Sequence, residues 1–196
     1  MIKGKNILLR RALLNERKLI FDMGMKTNIL SYSSSYADNL KEFEADYNDG
    51  YFDEKKADAC GGMMICLGKK PIGFISYGRV CSDEEYLQLG IMELDIWMDG
   101  EDYCGKGYGT DAIITLSGYL HEEYNINTFI MVPSLSNQRA IRSYEKAGFV
   151  KTNPADRRSI LKNIFMTEYL SRLEPDSEIL SADSVLMIKR YRPSKA

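Results

Sequence analysis

Residues 103–110 read YCGKGYGT, and the chain continues DAIITLSGYL. Gly105, Gly107 and Gly109 therefore fall on alternate positions just ahead of an apolar run with helical spacing. Glycine admits positive φ and lets a ligand approach the main chain with no Cβ in the way. Free amides and the dipole at a helix N-terminus favour an anion by about 0.3–1 kcal/mol, and by up to ~2 kcal/mol when partly buried. The stretch reads as a phosphate cradle or, taken alone, as a flexible turn between strand and helix. Spacing excludes two better-known phosphate loops. A P-loop needs G-x-x-x-x-G-K-S/T, whereas Lys106 is followed here by Gly107 and Tyr108. A dinucleotide fingerprint follows its strand directly and is answered by an acid at the end of the next strand. Here DGEDYC intervenes, and the next strand ends in Val132-Pro133. The pyrophosphate of coenzyme A is the remaining guest.

Outward from the loop, GIMELDIWM (90–98) alternates as a strand, with Met92, Leu94, Ile96 and Met98 on one face and Ile91, Glu93, Asp95 and Trp97 on the other. A helix is expected over about 108–122, followed by the strand NTFIMVP (127–133). GMMICLGKKPIGFISYGRV (62–80) reads as a hairpin around the turn Gly68-Lys69-Lys70-Pro71. NILLRRA (6–12) reads as a first strand and LNERKLIFDM (14–23) as a helix, while 38–58 reads as part helix and part loop. Asn137 to Ala147 is a helix closed by Gly148, and GFV resumes extended structure. Asn153-Pro154 opens a further helix over about 154–173, ahead of a last strand in VLMIKRY (185–191). Strands interspersed with helices give one mixed α/β sheet domain over 1–196.

Composition narrows the classes. With 196 residues, 44% apolar and 28% charged, the chain is of ordinary globular type, and a net charge of −2 gives no reason to expect nucleic acid. No apolar run approaches the roughly 20 residues of a membrane span. The first residues, MIKGKNILLRRALLNERKLIF, are interrupted by charges, so we expect no signal peptide and a cytoplasmic protein. Cys60, Cys66, Cys81 and Cys104 lie far apart and read as reduced thiols. His121 is the single histidine, which excludes any site needing two, and no metal is expected.

SNQRAIRSYEKAGFV (136–150) resembles the C-terminal signature of the GNAT superfamily of N-acetyltransferases, in which an Asn, an Ala and a Tyr precede a Gly-Phe. The glycine loop, with its strand before and helix after, resembles that superfamily's acetyl-CoA motif. The resemblance implies a mixed, mostly antiparallel central sheet flanked by helices. Its middle strands, MELDIWM and NTFIMV, are expected to splay apart around the pantetheine arm of acetyl-CoA. It further implies that the backbone of Ile96, Trp97 and Met98 pairs with pantetheine. Amides of Cys104, Gly105, Lys106, Gly107, Tyr108 and Gly109, with Thr110 behind them, would hold the pyrophosphate, and Asn137 would contact the cofactor. Cys104 stands where relatives often carry Gln or Arg, so weaker cofactor binding is expected. As a nucleophile Cys104 lacks a nearby base.

Tyr144 sits at i+4 from Ala140 and on the face of Asn137. The resemblance makes it the proton donor to sulfur; the bland alternative is a tyrosine packing its helix. A thiol near ~8.5 and a phenol near ~10 differ by about 2 kcal/mol, so a hydrogen bond to the nascent thiolate serves as well as full transfer. The pattern LD, GKGYGT, NQRAIRSYEKAGF looks particularly like bacterial aminoglycoside 6′-N-acetyltransferases, where an Asp at the position of Asp95 is implicated as base and substrate ligand. An unperturbed Asp lies about 9 kcal/mol from an alkyl ammonium, so Asp95 would hold the amine and take its proton late. The alternative is a strand-edge Asp facing solvent.

Acids outnumber lysines across 38–58, Asp46 among them, and Asp83, Glu84 and Glu85 add to them, a wall that suits a polycationic antibiotic or is simply solvated surface. Val132 weakens the antibiotic reading, since some such relatives carry an acid there. The expected activity is acetyl transfer from acetyl-CoA to a small amine, with an aminoglycoside acceptor and antibiotic resistance as its consequence. The alternatives are an enzyme acetylating N-terminal amines of the ribosomal-protein type and a non-catalytic acyl-CoA sensor. Monomer and homodimer both remain open.

Overall fold

The apolar runs assemble into a single sheet. The computed structural model describes residues 1–27, 37–47, 49–53, 55, 57–79, 90–164 and 181–192. Within them lie strands β1 (Ile2–Lys3), β2 (Leu8–Arg11), β3 (Cys60–Leu67), β4 (Lys70–Arg79), β5 (Ile91–Met98), β6 (Thr128–Met131), β7 (Val150–Lys151) and β8 (Met187–Arg190). Their order in the sheet is β1-β2-β3-β4-β5-β6-β8-β7. Every neighbouring pair is antiparallel except β5 and β6, which run parallel. Helices α1 (Arg17–Lys26), α2 (Leu40–Asp46), α3 (Tyr108–Tyr124), α4 (Gln138–Lys146) and α5 (Arg157–Ile164) complete the described elements. The mixed, mostly antiparallel sheet with flanking helices is the expected one.

Local chemistry explains the element ends and the corrections. The hairpin turn is tighter than its four turn-forming residues suggest: Gly68 at φ 57 and Lys69 suffice, and Lys70 and Pro71 belong to β4. Pro71 is tolerated at the strand start, where a bulge between Ile65 and Cys66 shifts the register. The N-terminal strand is shorter than 6–12 and is preceded by β1, too brief to show alternation. The helix expected from Leu14 begins as a 3₁₀ turn at Leu14–Glu16 and becomes α only at Arg17. Asn153 caps Ala155 N at 3.0 Å with Pro154 next, as expected, but α5 is described only to Ile164, and 165–173 lie outside the described residues. At the end of α4, Phe149 N donates to Tyr144 O and Gly148 N to Glu145 O, both at 3.0 Å, with Gly148 at φ 93. This is a Schellman closure, and it fixes where Tyr144 sits.

The sheet separates two cores. Met92, Leu94 and Met98 of β5 face one, with Leu116 and Leu120 of α3, Ile141 and Tyr144 of α4, and Phe129 of β6. Trp97 faces the other, with Ile20 and Met23 of α1, Phe43 of α2 and Phe74 of β4. Trp97 Nε1 donates to Ile20 O at 3.0 Å, and its ring lies 5.0 Å from that of Phe74, so the indole is anchored at both its polar and apolar ends.

Two buried charges tie distant segments to the site. Asp111, in the first turn of α3, accepts from Lys5 N at 3.0 Å and from Asn6 N at 2.6 Å. A carboxylate there also suits the helix dipole. Arg157 is buried and donates to Ser181 O and Ser184 O. That loop pairs with the segment leading into α4, through Leu135 N to Asp183 O and Val185 N to Pro133 O.

Asp111→Ala would orphan two main-chain donors between β1 and β2. We expect a loss of about 1–3 kcal/mol, read as a lower urea midpoint with an unchanged slope.

Candidate functional site

The parallel pairing of β5 and β6 covers only Ile91 with Thr128, Met92 with Phe129 and Glu93 with Ile130. Beyond Glu93, β5 continues to Met98 on β4 alone. Asp99 N donates to Ile72 O on the β4 side at 2.8 Å. Strand alternation then turns the main-chain groups of Trp97 toward β4, and those of Leu94 and Ile96 toward the gap left by β6. The middle strands thus part as the resemblance implies. Of the three residues expected to pair with pantetheine, Trp97 has its main chain committed to β4.

At the end of that gap lies the glycine loop. Gly105 has φ 71 and Gly107 φ 86, and a Cβ at either would meet nothing within 4 Å. Gly109 packs α3 onto β5, its Cβ position being 3.6 Å from Ile96 Cδ1. The first main-chain bond of α3 runs from Asp111 N to Gly107 O. Among the described residues no acceptor meets the amides of Gly105, Lys106, Gly107, Tyr108, Gly109 or Thr110. The Cys104 amide, expected to hold pyrophosphate with its neighbours, donates to Glu101 O at 3.0 Å and closes a 3₁₀ turn. The hydroxyls of Thr110 and Ser143 share a hydrogen bond at 2.8 Å, joining α3 to α4. Asn137 caps α4, its side-chain oxygen accepting from Ala140 N at 3.1 Å.

Tyr144 is buried in the core beneath α4, its ring 6.5 Å from that of Phe149. Burial, and then the charge of Asp95, push its phenol well above the ordinary value. Asp95 is exposed and pairs across the sheet with Ser76. Ser76 Oγ lies 3.4 Å from Tyr47 Oη, and Tyr47 is 4.9 Å from Tyr51 ring to ring. Burial pushes the Tyr51 phenol up to about 12, with Cys60, Asp95, Glu93 and Asp46 adding to it. Asp95 is therefore the carboxylate felt both by the tyrosine under α4 and by the aromatic group over β4. Exposed Asp46, at the end of α2, belongs to that aromatic face. Asp83, Glu84 and Glu85 lie outside the described residues.

Burial pushes the Cys104 thiol up, with Arg139 pulling the other way, and its Sγ lies 3.6 Å from Gly100 O. A neutral thiol of that kind is a poor nucleophile. Two features escape a reading of motifs. Glu93 joins Asp95 and Asp46 around Tyr51, signalled only by its i,i+2 spacing on β5. Arg139 forms a two-point ion pair with Glu101, which no local spacing announces. Among the described residues no cluster of His, Cys, Asp and Glu could hold a metal ion, and no helix is long and apolar enough to cross a membrane.

Comparison with known proteins bears on the family and the fold. An acetyltransferase (GNAT) domain model matches residues 7–150. Aminoglycoside N(6′)-acetyltransferase type 1 of Klebsiella pneumoniae is 36% identical over 91 residues, which are 44% of this chain and 45% of that protein. The match thus spans about half the length of that curated relative. The solved complex of AAC(6′)-Ib with parmomycin and acetyl-CoA superposes with TM-score 0.67 at 20% identity, covering 95% of this chain and 94% of the other. The ribosomal L7/L12 α-N-protein acetyltransferase RimL with coenzyme A gives TM-score 0.67 at 12% identity, covering 95% of each chain. At these identities the last two likenesses are of fold.

The raised tyrosines fix a pH dependence. An unfolded phenol ionises near ~10 while the folded Tyr51 holds its proton to about 12, so stability is full below pH ~10 and falls between there and 12. Urea unfolding at pH 8 and pH 11 should show a clear drop in the parent and a smaller one in Tyr51→Phe.

Proposed function

The chain belongs to the GNAT acetyltransferase family, and from that premise we propose that it transfers an acetyl group from acetyl-CoA to a primary amine of a small polycationic acceptor, an aminoglycoside. The observation that carries the reading is the row of unpartnered amides from Gly105 to Thr110, set where β5 and β6 part. Oriented N–H donors around positive-φ glycines form a cradle for a pyrophosphate. The open space at Gly105 and Gly107 suits close approach by the ligand.

Bound there, acetyl-CoA supplies an acetyl thioester, so that amine and thioester give amide and thiol. Main-chain groups of Ile96 and Leu94 are available along the gap, and Gly105–Thr110 at its end. Asp95 holds the ammonium of the acceptor. The ammonium has no lone pair, so its first proton leaves to solvent before attack; Asp95 accepts the second once the new C–N bond has made the nitrogen acidic. Tyr144 keeps its proton at every working pH because burial and Asp95 both oppose its ionisation. Its raised value makes full transfer to a thiolate more uphill than from a free phenol. Tyr144 therefore acts chiefly as a hydrogen-bond donor to sulfur as the C–S bond breaks.

An acceptor of several positive charges is supported by Asp46, Glu93 and Asp95 gathered around Tyr51, and by the 36% identity to an aminoglycoside acetyltransferase. Resistance to the antibiotic would follow from the loss of a cationic amine. Acetylation of protein N-termini is the competing activity, since the same fold serves that chemistry in RimL.

Acetyl-CoA should bind in calorimetry, and kanamycin or tobramycin should drive thiol release. Release with ribosomal N-terminal peptides alone would replace the acceptor assignment, and CoA binding without any release would point to a sensor. Asp95→Asn should lower kcat/KM for the amine by about 10²–10³-fold. Tyr144→Phe should lower kcat by about 10–100-fold and leave KM for acetyl-CoA within about threefold, as expected for a contact made mainly in the transition state.

A further inference from the structure

Arg139 stands in the first turn of α4, the helix reached from β6, while Glu101 stands in the 3₁₀ turn reached from β5. Their two-point pair, with Nη2 to Oε1 at 3.0 Å, thus bridges the two lips of the gap beside the glycine loop. The same Glu101 receives the Cys104 amide on its carbonyl, so the pair is attached directly to the entrance of the cradle. We propose that Arg139 is a ligand for a phosphate group of the cofactor, and that Glu101 holds it in place until that phosphate arrives; the inference rests on the acetyl-CoA reading above.

Several observations carry it. The pair is largely exposed, with side-chain accessibilities of 41% for Arg139 and 64% for Glu101. Exposed pairs contribute little, and Glu101 can rehydrate fully when released. A guanidinium presents a planar fork that fits two phosphate oxygens as well as it fits two carboxylate oxygens. The loop itself offers amides but few cations: Lys106 is exposed, and Cys104 brings a neutral thiol. Asp99, Glu101 and Asp102 precede the loop and would repel a polyanion. Lys26 already answers Asp99 at 2.7 Å. Moving Arg139 from Glu101 to phosphate places a cation against the ligand and leaves the displaced carboxylate in water.

Exchange and a purely structural clasp predict opposite signs for one of the two partners. Calorimetric binding of coenzyme A to the full chain, alongside its thermal midpoint, tests them. Arg139→Gln should weaken binding by about 10–100-fold, the loss expected for a charge-assisted bond to phosphate. Glu101→Gln should tighten it by about two- to fivefold, since it removes the competing acid. Arg139→Lys, which keeps the charge without the fork, should fall between the parent and Arg139→Gln. Repeating the series with 3′-dephospho-CoA locates the contact: a loss confined to coenzyme A assigns the 3′-phosphate, and an equal loss assigns the pyrophosphate. Arg139→Gln binding like the parent, or Glu101→Gln weakening as much as Arg139→Gln, overturns the exchange while leaving the acetyl-CoA reading intact. A parent chain that binds no coenzyme A overturns both.

Discussion

The structure turns on a parallel strand pair that stops early. Three residues of β6 pair with β5, and the rest of β5 has a neighbour on one side only. In a closed sheet those main-chain donors and acceptors would bond to the next strand; a buried polar group without a partner costs a few kcal/mol. The gap is therefore stable only if water or a ligand occupies it. Every element that follows is arranged along its margins. The glycine loop and α3 follow from β5, α4 follows from β6, and Tyr144 packs beneath while Asp95 stands on the strand itself.

Much of this was legible in the sequence because it rests on local rules. Alternation along 91–98 separated Leu94 from Asp95, and the structure buries one and exposes the other. Positive φ at Gly105 and Gly107 and the closure at Gly148 follow from glycine's lack of a Cβ. Errors came where tertiary contacts decide. Pro71 looked like a turn residue but lies at the start of β4, next to a bulge that leaves Ile72 of the same strand without a cross-strand partner on β3. The Cys104 amide closes the preceding 3₁₀ turn through a local bond to Glu101 O that its neighbours in sequence do not announce. The pairing of Arg139 with Glu101 and the gathering of Glu93, Asp95 and Asp46 depend on chain segments far apart, which no window of sequence brings together.

Asp95 shows how one carboxylate can serve two environments. Its charge opposes the ionisation of Tyr51 over β4 and of Tyr144 under α4. Burial does most to keep both phenols protonated, and the exposed Asp95 adds to it. Desolvation alone would raise Tyr144, but it would place no anion beside the gap between β5 and β6.

Asp111 couples two parts of the chain that function would otherwise leave independent. It grips Lys5 N and Asn6 N from the first turn of α3, which follows the glycine loop. Those two bonds tie the turn to a hairpin more than a hundred residues earlier in sequence. The exchange of those two amides with solvent deuterium therefore reports on the first turn of α3 from the far side of that carboxylate.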